Sequence, residues 1–166
     1  MDINQESYKK VKRRKHFSHY SEKPFGWYLK RLDKLITSHV NELFKDKELT
    51  RFHWQALNNT YHEGTKTKES LHELVQDYVD KKKLDEVIHS LVERGWMIRN
   101  ESSGQQITKL ELTSKGKKEF PSLDAILYEF DQRVFYGVTK EEYQIVIKVL
   151  TRMINNLDKG SKLSTP

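Results

Sequence analysis

The feature that most constrains this chain is a change of hydrophobic period in mid-sequence. Through Leu84, Val87, Ile88, Leu91 and Val92, apolar residues recur at steps of three and four and stop at Gly95, the pattern of one buried helical face. From Trp96 the step becomes two. Trp96 to Arg99 reads as a short strand, Glu101 to Gln106 as a polar turn, and Ile107 to Leu112 as a second strand in which Thr108, Leu110 and Leu112 alternate with Ile107, Lys109 and Glu111. Just upstream, Leu71, Leu74, Val75 and Tyr78 mark a short helix that Thr67 can cap, and Asp80 is placed to cap the helix after it. Two short helices joined by a tight turn, the second strongly amphipathic, make a helix-turn-helix; a β-hairpin directly after it makes a winged helix. Nothing else in the chain reads as sheet.

Helices flank this unit on both sides. Phe25, Tyr28, Leu29, Leu32, Leu35, Ile36, Val40, Leu43 and Phe44 form one stripe, and Phe52, Trp54, Leu57 and Tyr61 form a second, with Thr50 as its N-cap and Gly64 as its stop. Leu123, Ile126, Leu127, Phe130, Val134 and Phe135 form a third, entered near Pro121 and broken at Gly137 and Val138. Thr139 and Glu142 have capping-box spacing and open a last stripe of Tyr143, Ile145, Val146, Val149, Leu150, Met153, Ile154 and Leu157. The first and last stripes are too apolar to flank a small winged unit unless they cover one another. They therefore predict a homodimer, with Phe25, Leu29, Leu32, Leu35, Ile36, Ile145, Val149, Leu150, Met153 and Leu157 at its interface. The fold class is mainly α with a small β-hairpin wing (α+β). Its divisions are an arm over 1–24, a dimerisation helix over 25–48, a winged helix-turn-helix over 49–116, closing helices over 117–158 and a frayed tail over 159–166.

Charge narrows the partners less than the total suggests. The formal net charge is +6, but residues 1–24 carry seven of the basic residues, including Lys12, Arg13, Arg14 and Lys15, against three acidic ones. The body is nearly neutral. That first segment reads as a mobile basic arm, either a solvated tail or a strand of charge that touches phosphates. The absence of cysteine removes disulfides and thiolate chemistry. With a polar N-terminus and no apolar run of spanning length, the expected compartment is the cytoplasm. No glycine-rich phosphate loop, nucleophile elbow or His-Glu-x-x-His pattern is present, so neither an enzyme nor a cofactor is expected. Seven histidines raise the question of a metal sensor, with His62, Glu63 and His72 beside the winged unit, but without cysteine or tight ligand spacing no metal site is assigned.

The order of elements resembles the MarR family of bacterial transcriptional regulators over residues 25–157. The landmarks are Leu49 and Thr50 with Trp54 and Leu57; Asp80 to Leu84 opening the recognition helix; Leu91 to Met97 leading into the wing; Leu112 to Gly116 leaving it; and Gly137 to Glu142 between the last helices. The resemblance implies an obligate homodimer, one winged domain per subunit, pseudo-palindromic operators on double-stranded DNA, and room for a small-molecule effector between the dimer and the DNA-binding parts. Trp27, Tyr28, Trp54 and Tyr61 are candidates to line such a pocket or are plain core. Two departures stand out. The wing tip reads Gly104-Gln105-Gln106 where the family carries Asp and Arg, and the link from Val75 to Asp80 is about one residue short.

On a helix of 100° per residue with its apolar stripe buried, Lys82, Glu86, His89, Ser90 and Glu93 point outward, with Lys83 and Asp85 at the edges. Lys81, Lys82 and Lys83 occupy the first turn, the part of a recognition helix that meets bases and phosphates, yet cations there oppose the helix dipole. That local cost points to a role outside folding. The DNA-contact set is therefore Lys81, Lys82, Lys83, His89 and Ser90, with Lys68, Ser70, Arg99 and Lys109 as phosphate contacts and Gln105 and Gln106 at the wing tip. Glu86 either accepts from cytosine N4 or pairs with Lys82 or Lys83; pairing is favoured. The rival readings are a winged helix that contacts protein, supported by Asp85, Glu86 and the near-neutral body, and a metal-responsive regulator of the same fold.

Overall fold

The computed structural model describes residues 22–101 and 108–160. Helix α1 (Phe25–Leu43) leads through a 3-10 turn (Lys45–Lys47) to α2 (Arg51–Glu63); strand β1 (Lys66–Thr67), α3 (Lys68–Val75), α4 (Lys81–Glu93), β2 (Met97–Glu101) and β3 (Thr108–Leu112) follow, then α5 (Ser114–Val134) and α6 (Lys140–Gly160).

Caps set most of the boundaries. Thr50 and His53 form a capping box on α2, with His53 Nδ1 accepting from the Thr50 backbone N–H at 3.1 Å. Thr67 and Ser70 do the same on α3, and Asp80 Oδ1 accepts from Lys83 N–H at 2.7 Å to start α4. Thr139 and Glu142 form the reciprocal pair that opens α6. Gly95, with φ of 67°, ends the α4 segment in the left-handed region where a Cβ is costly.

The sheet corrects one expectation. It has three strands in the order β1-β3-β2, all antiparallel, because Lys66 and Thr67 pair with Leu110 and Lys109 on the free edge of β3. Two residues are too few to leave a period-2 signal, so the hairpin reads alone in the sequence. A second correction concerns α5, which begins at Ser114 rather than near Pro121. Thr113 Oγ1 accepts from Gly116 N–H at 3.0 Å, and Pro121 lies within the helix. A helix interior loses one N–H bond to a proline, and α5 is continuous through it nonetheless.

The core lies under the winged unit. Leu57, Leu71, Val87, Ile88, Leu91, Met97, Leu110, Phe120 and Leu123 are buried together, with Val40 and Phe44 joining from α1. Gly116 allows the closest packing: a Cβ on it would stand 2.1 Å from the Trp96 carbonyl oxygen. The ends of the chain differ. Apart from half-buried Leu150, the described side chains of α6 are exposed, as is most of the N-terminal half of α1.

Candidate nucleic-acid interface

Helix α4 buries Leu84, Val87, Ile88 and Leu91 and turns its other face outward. Lys81, Lys82, Lys83, Glu86 and His89 are exposed on that face, and Ser90 is half-buried. Its charges are partly engaged. Lys83 Nζ lies 2.9 Å from Glu86 Oε2, His89 Nε2 lies 3.2 Å from Glu93 Oε1, and Ser90 Oγ accepts from Arg94 Nε at 3.4 Å. Among the described residues Lys81 and Lys82 enter no ion pair, so the first turn keeps two uncompensated cations on the outward surface.

The neighbouring candidates fall around this helix. Lys68, at the head of α3, pairs with Asp85 of α4 at 2.6 Å. The Ser70 hydroxyl is used twice within the α3 cap, accepting from Thr67 N–H at 3.1 Å and donating to Thr67 O at 2.9 Å. Arg99 and Lys109 are exposed on adjacent strands, with Arg99 in register opposite Leu110. Gln105, Gln106 and the basic segment Lys12 to Lys15 lie outside the described residues. Five candidates thus gather on α4, two at the head of α3 and two on the wing strands.

Four side chains that tie α4 and its surroundings to distant parts of the chain carry no local sequence signal. Arg51 Nη1 donates to Asp33 Oδ1 at 2.7 Å and Thr37 Oγ1 at 2.6 Å, both on α1. Arg94, just past α4, reaches Glu48 O and Oε2 at 3.4 and 3.3 Å, against a Glu48 backbone held at φ 53°. A left-handed residue other than glycine costs roughly 1 kcal/mol, and these bonds help to hold it. Lys115 Nζ donates to Arg94 O at 2.8 Å, and Thr113 Oγ1 to Gly95 O at 2.6 Å. All four join residues far apart in sequence, which is why periodicity cannot find them.

His53 is buried, and desolvation, aided by the positive charges of Arg94 and Lys83, lowers its pKa to about 4. It is therefore neutral near pH 7. The histidines beside the winged unit have other surroundings: the His62 ring meets Phe120 edge-on at 5.9 Å, and Glu63 pairs with Lys66. Among the described residues no three His, Cys, Asp or Glu side chains cluster as metal ligands. No described helix is long and apolar enough to cross a membrane.

Two clefts lie along α1. One of about 520 Å³ between α1 and α5 is walled by Leu32, Leu35, Ile36, Phe130 and Val134, with His39, Glu42 and Arg133 also lining it. The other, of similar volume, runs from α1 to Phe52 and Tyr78. Neither is lined by Trp27, Tyr28, Trp54 or Tyr61, the aromatic residues that the sequence offers as pocket walls.

A helix-turn-helix with a three-stranded wing, carried between long helices, is a winged-helix architecture, and the same fold is found in solved MarR-type structures. The fold matches a MarR transcriptional regulator from Methanosarcina mazei Go1 at TM-score 0.70 and 21% identity, over 87% of this chain and 99% of that one. It also matches a MarR family transcriptional regulator from Silicibacter pomeroyi at TM-score 0.69 and 21% identity, over 79% and 87% of the two chains. The transcriptional regulator SlyA matches at TM-score 0.71 and 22% identity, over 86% and 100%. No family model matches the sequence.

Proposed function

We propose that this protein is a sequence-specific regulator that binds double-stranded DNA as a homodimer and represses from a pseudo-palindromic operator. The observation that carries this reading is the first turn of α4, where three consecutive lysines stand exposed on the helix that a winged unit inserts into the major groove. Their position opposes the helix dipole, so folding gives no reason for them. The likeness to MarR-type regulators supports the same reading at the level of the fold.

The dimer is supported by the unpartnered apolar faces. Phe25, Leu29 and Leu32 on α1, and Ile145, Val149, Met153 and Leu157 on α6, are all at least 40% exposed in a single chain. Burying such side chains stabilises by roughly 1.5–3 kcal/mol each, so a second copy is the economical cover. The cleft between α1 and α5 supports a small-molecule effector that adjusts the dimer, since it is apolar within and carries Arg133, His39 and Glu42 among its lining residues.

The test is selection of bound genomic fragments at low and high salt. Enrichment of a palindrome with half-sites roughly 10 bp apart, weakening steeply as salt rises, is the expected result. Absence of any duplex preference at low salt would overturn the reading and favour the protein-contact alternative.

A further inference from the structure

We propose that Arg51 is the positioning residue that fixes the angle between the DNA-reading unit and α1, and with it the half-site separation that the dimer accepts; the second half of this statement rests on the DNA-binding reading above. Asp33, Thr37 and Asn41 stand four residues apart along α1, one polar ladder on one face. All three are spent on Arg51. Its Nη1 donates to Asp33 Oδ1 at 2.7 Å and Thr37 Oγ1 at 2.6 Å, and its backbone N–H donates to Asn41 Oδ1 at 2.8 Å. The guanidinium also lies over the Tyr78 ring, 5.7 Å from its centroid, and Tyr78 sits two residues before Asp80, the cap of α4. One side chain, 19% exposed, thus joins two successive turns of α1, the head of α2 and the turn that launches the recognition helix.

The placement matters because α1 is otherwise held to the core at its other end. Val40 is the one buried residue of α1, and Phe44 follows directly after the helix. Beyond Ile36 towards the N-terminus the apolar face is that assigned to the partner. Without Arg51, α1 is held chiefly by Ile36, His39, Val40 and Phe44, all in its C-terminal half or just beyond it, and can pivot about that end. Successive base pairs differ by roughly 3.4 Å and 34°, so a small pivot moves a recognition helix by a whole base pair. A planar, permanently charged fork can bond Asp33 and Thr37 while stacking on Tyr78; a lysine cannot do both.

The experiment uses the full chain and half-sites from the selection above, with the spacer varied one base pair at a time. The wild type is expected to lose at least about tenfold in affinity for each step away from its preferred spacing, whereas Arg51→Met loses less than about threefold and binds a single half-site within about twofold of wild type. Asp33→Leu with Thr37→Val removes both acceptors of the Arg51 guanidinium from the α1 side and must flatten the profile likewise. If only Arg51→Met does so, a local effect on α2 is responsible and the proposal fails. A second measurement needs no DNA. The chain has no cysteine, so nitroxides on Arg31→Cys in α1 and Lys82→Cys in α4, diluted with unlabelled chain, report the angle directly. A distance distribution that widens on Arg51→Met supports the clamp; one that does not change overturns it. Failure of the wild type to select any duplex would end the DNA-binding reading and leave these distances to decide the role of Arg51.

Discussion

Lys68, the first residue of α3, and Asp85, in the second turn of α4, form an ion pair of 2.6 Å that braces the two helices of the helix-turn-helix against each other. The pair is half open to solvent, with exposures of 38% and 45%. Such pairs contribute little to stability, at most about 1 kcal/mol. Its effect on binding is larger, because Asp85 neutralises a cation beside the reading face. Asp85→Asn should therefore raise affinity for random duplex roughly threefold to tenfold at low salt, with little change in thermal stability. Fluorescence anisotropy with a labelled random duplex measures this, and unchanged affinity would show that Lys68 faces no phosphate.

The lysines of the α4 turn are not equivalent. Lys82 has no ion-pair partner among the described residues, while Lys83 is 2.9 Å from Glu86. Removing one phosphate-binding cation lowers the slope of log K against log salt by about 0.9. Lys82→Ala should show that change. Lys83→Ala should lose more affinity at equal salt, because it also leaves the Glu86 carboxylate uncompensated before the DNA. Salt titrations that give Lys82→Ala the wild-type slope would remove Lys82 from the contact set.

The exposed stripes on α1 and α6 make the assembly testable apart from DNA. Leu32 is 53% exposed on α1, and Leu150 is the half-buried residue of α6. Placing a carboxylate at either position in an apolar interface leaves a buried charge unpaired, which costs several kcal/mol. Leu32→Glu and Leu150→Glu should each convert a dimer to monomer in sedimentation at micromolar concentration and abolish operator binding. A wild-type chain that sediments as a monomer there would refute the dimer.

Gly116 is required by space. A Cβ at this position would lie 2.1 Å from the Trp96 carbonyl oxygen and 2.9 Å from its carbon, both backbone atoms that cannot swing aside. Trp96 O already accepts from Thr113 N–H at 3.0 Å, so moving it disturbs the junction of α5 with the wing. Gly116→Ala should destabilise by about 2 kcal/mol or more. Urea denaturation gives the value directly, and a loss below about 0.5 kcal/mol would mean that α5 shifts freely.

Local chemistry was the legible part of this molecule. Asp80, Thr67, Thr50 and the Thr139–Glu142 pair cap their helices where their spacing predicts, since a cap needs only residues three apart. The period change at Gly95 announces the hairpin for the same reason. The pairing of Glu86 with Lys83 was also readable, as both lie on one helix. What was hidden depends on distance in sequence. Strand β1 is formed by two residues that borrow the β3 edge, and α5 runs through Pro121 because its start is set by Thr113 and Gly116, eight and five residues earlier. Arg51 gains its partners only when α1 is folded beside it. The clefts along α1 likewise come from packing between helices, which aromatic spacing within one helix does not reveal.

His53 gives the fold a pH dependence of known sign. Its Nδ1 accepts from the Thr50 backbone, and burial, then Arg94 and Lys83, lowers its pKa to about 4 from 6.5. The unfolded chain therefore takes up a proton at a pH where the folded chain does not. Stability is full above about pH 6.5, falls as pH drops from there to about 4, and levels off below, by at most about 3 kcal/mol from this group. His53→Gln keeps a side chain that can serve the capping box but does not titrate. The difference in unfolding free energy between wild type and His53→Gln should shrink or reverse from pH 7 to pH 4.5, because only the wild type loses this contribution on acidification. Denaturant titrations at those two values decide it. A difference that stays constant across the interval would mean that His53 titrates alike in both states, and that its ring is open to water in the folded protein.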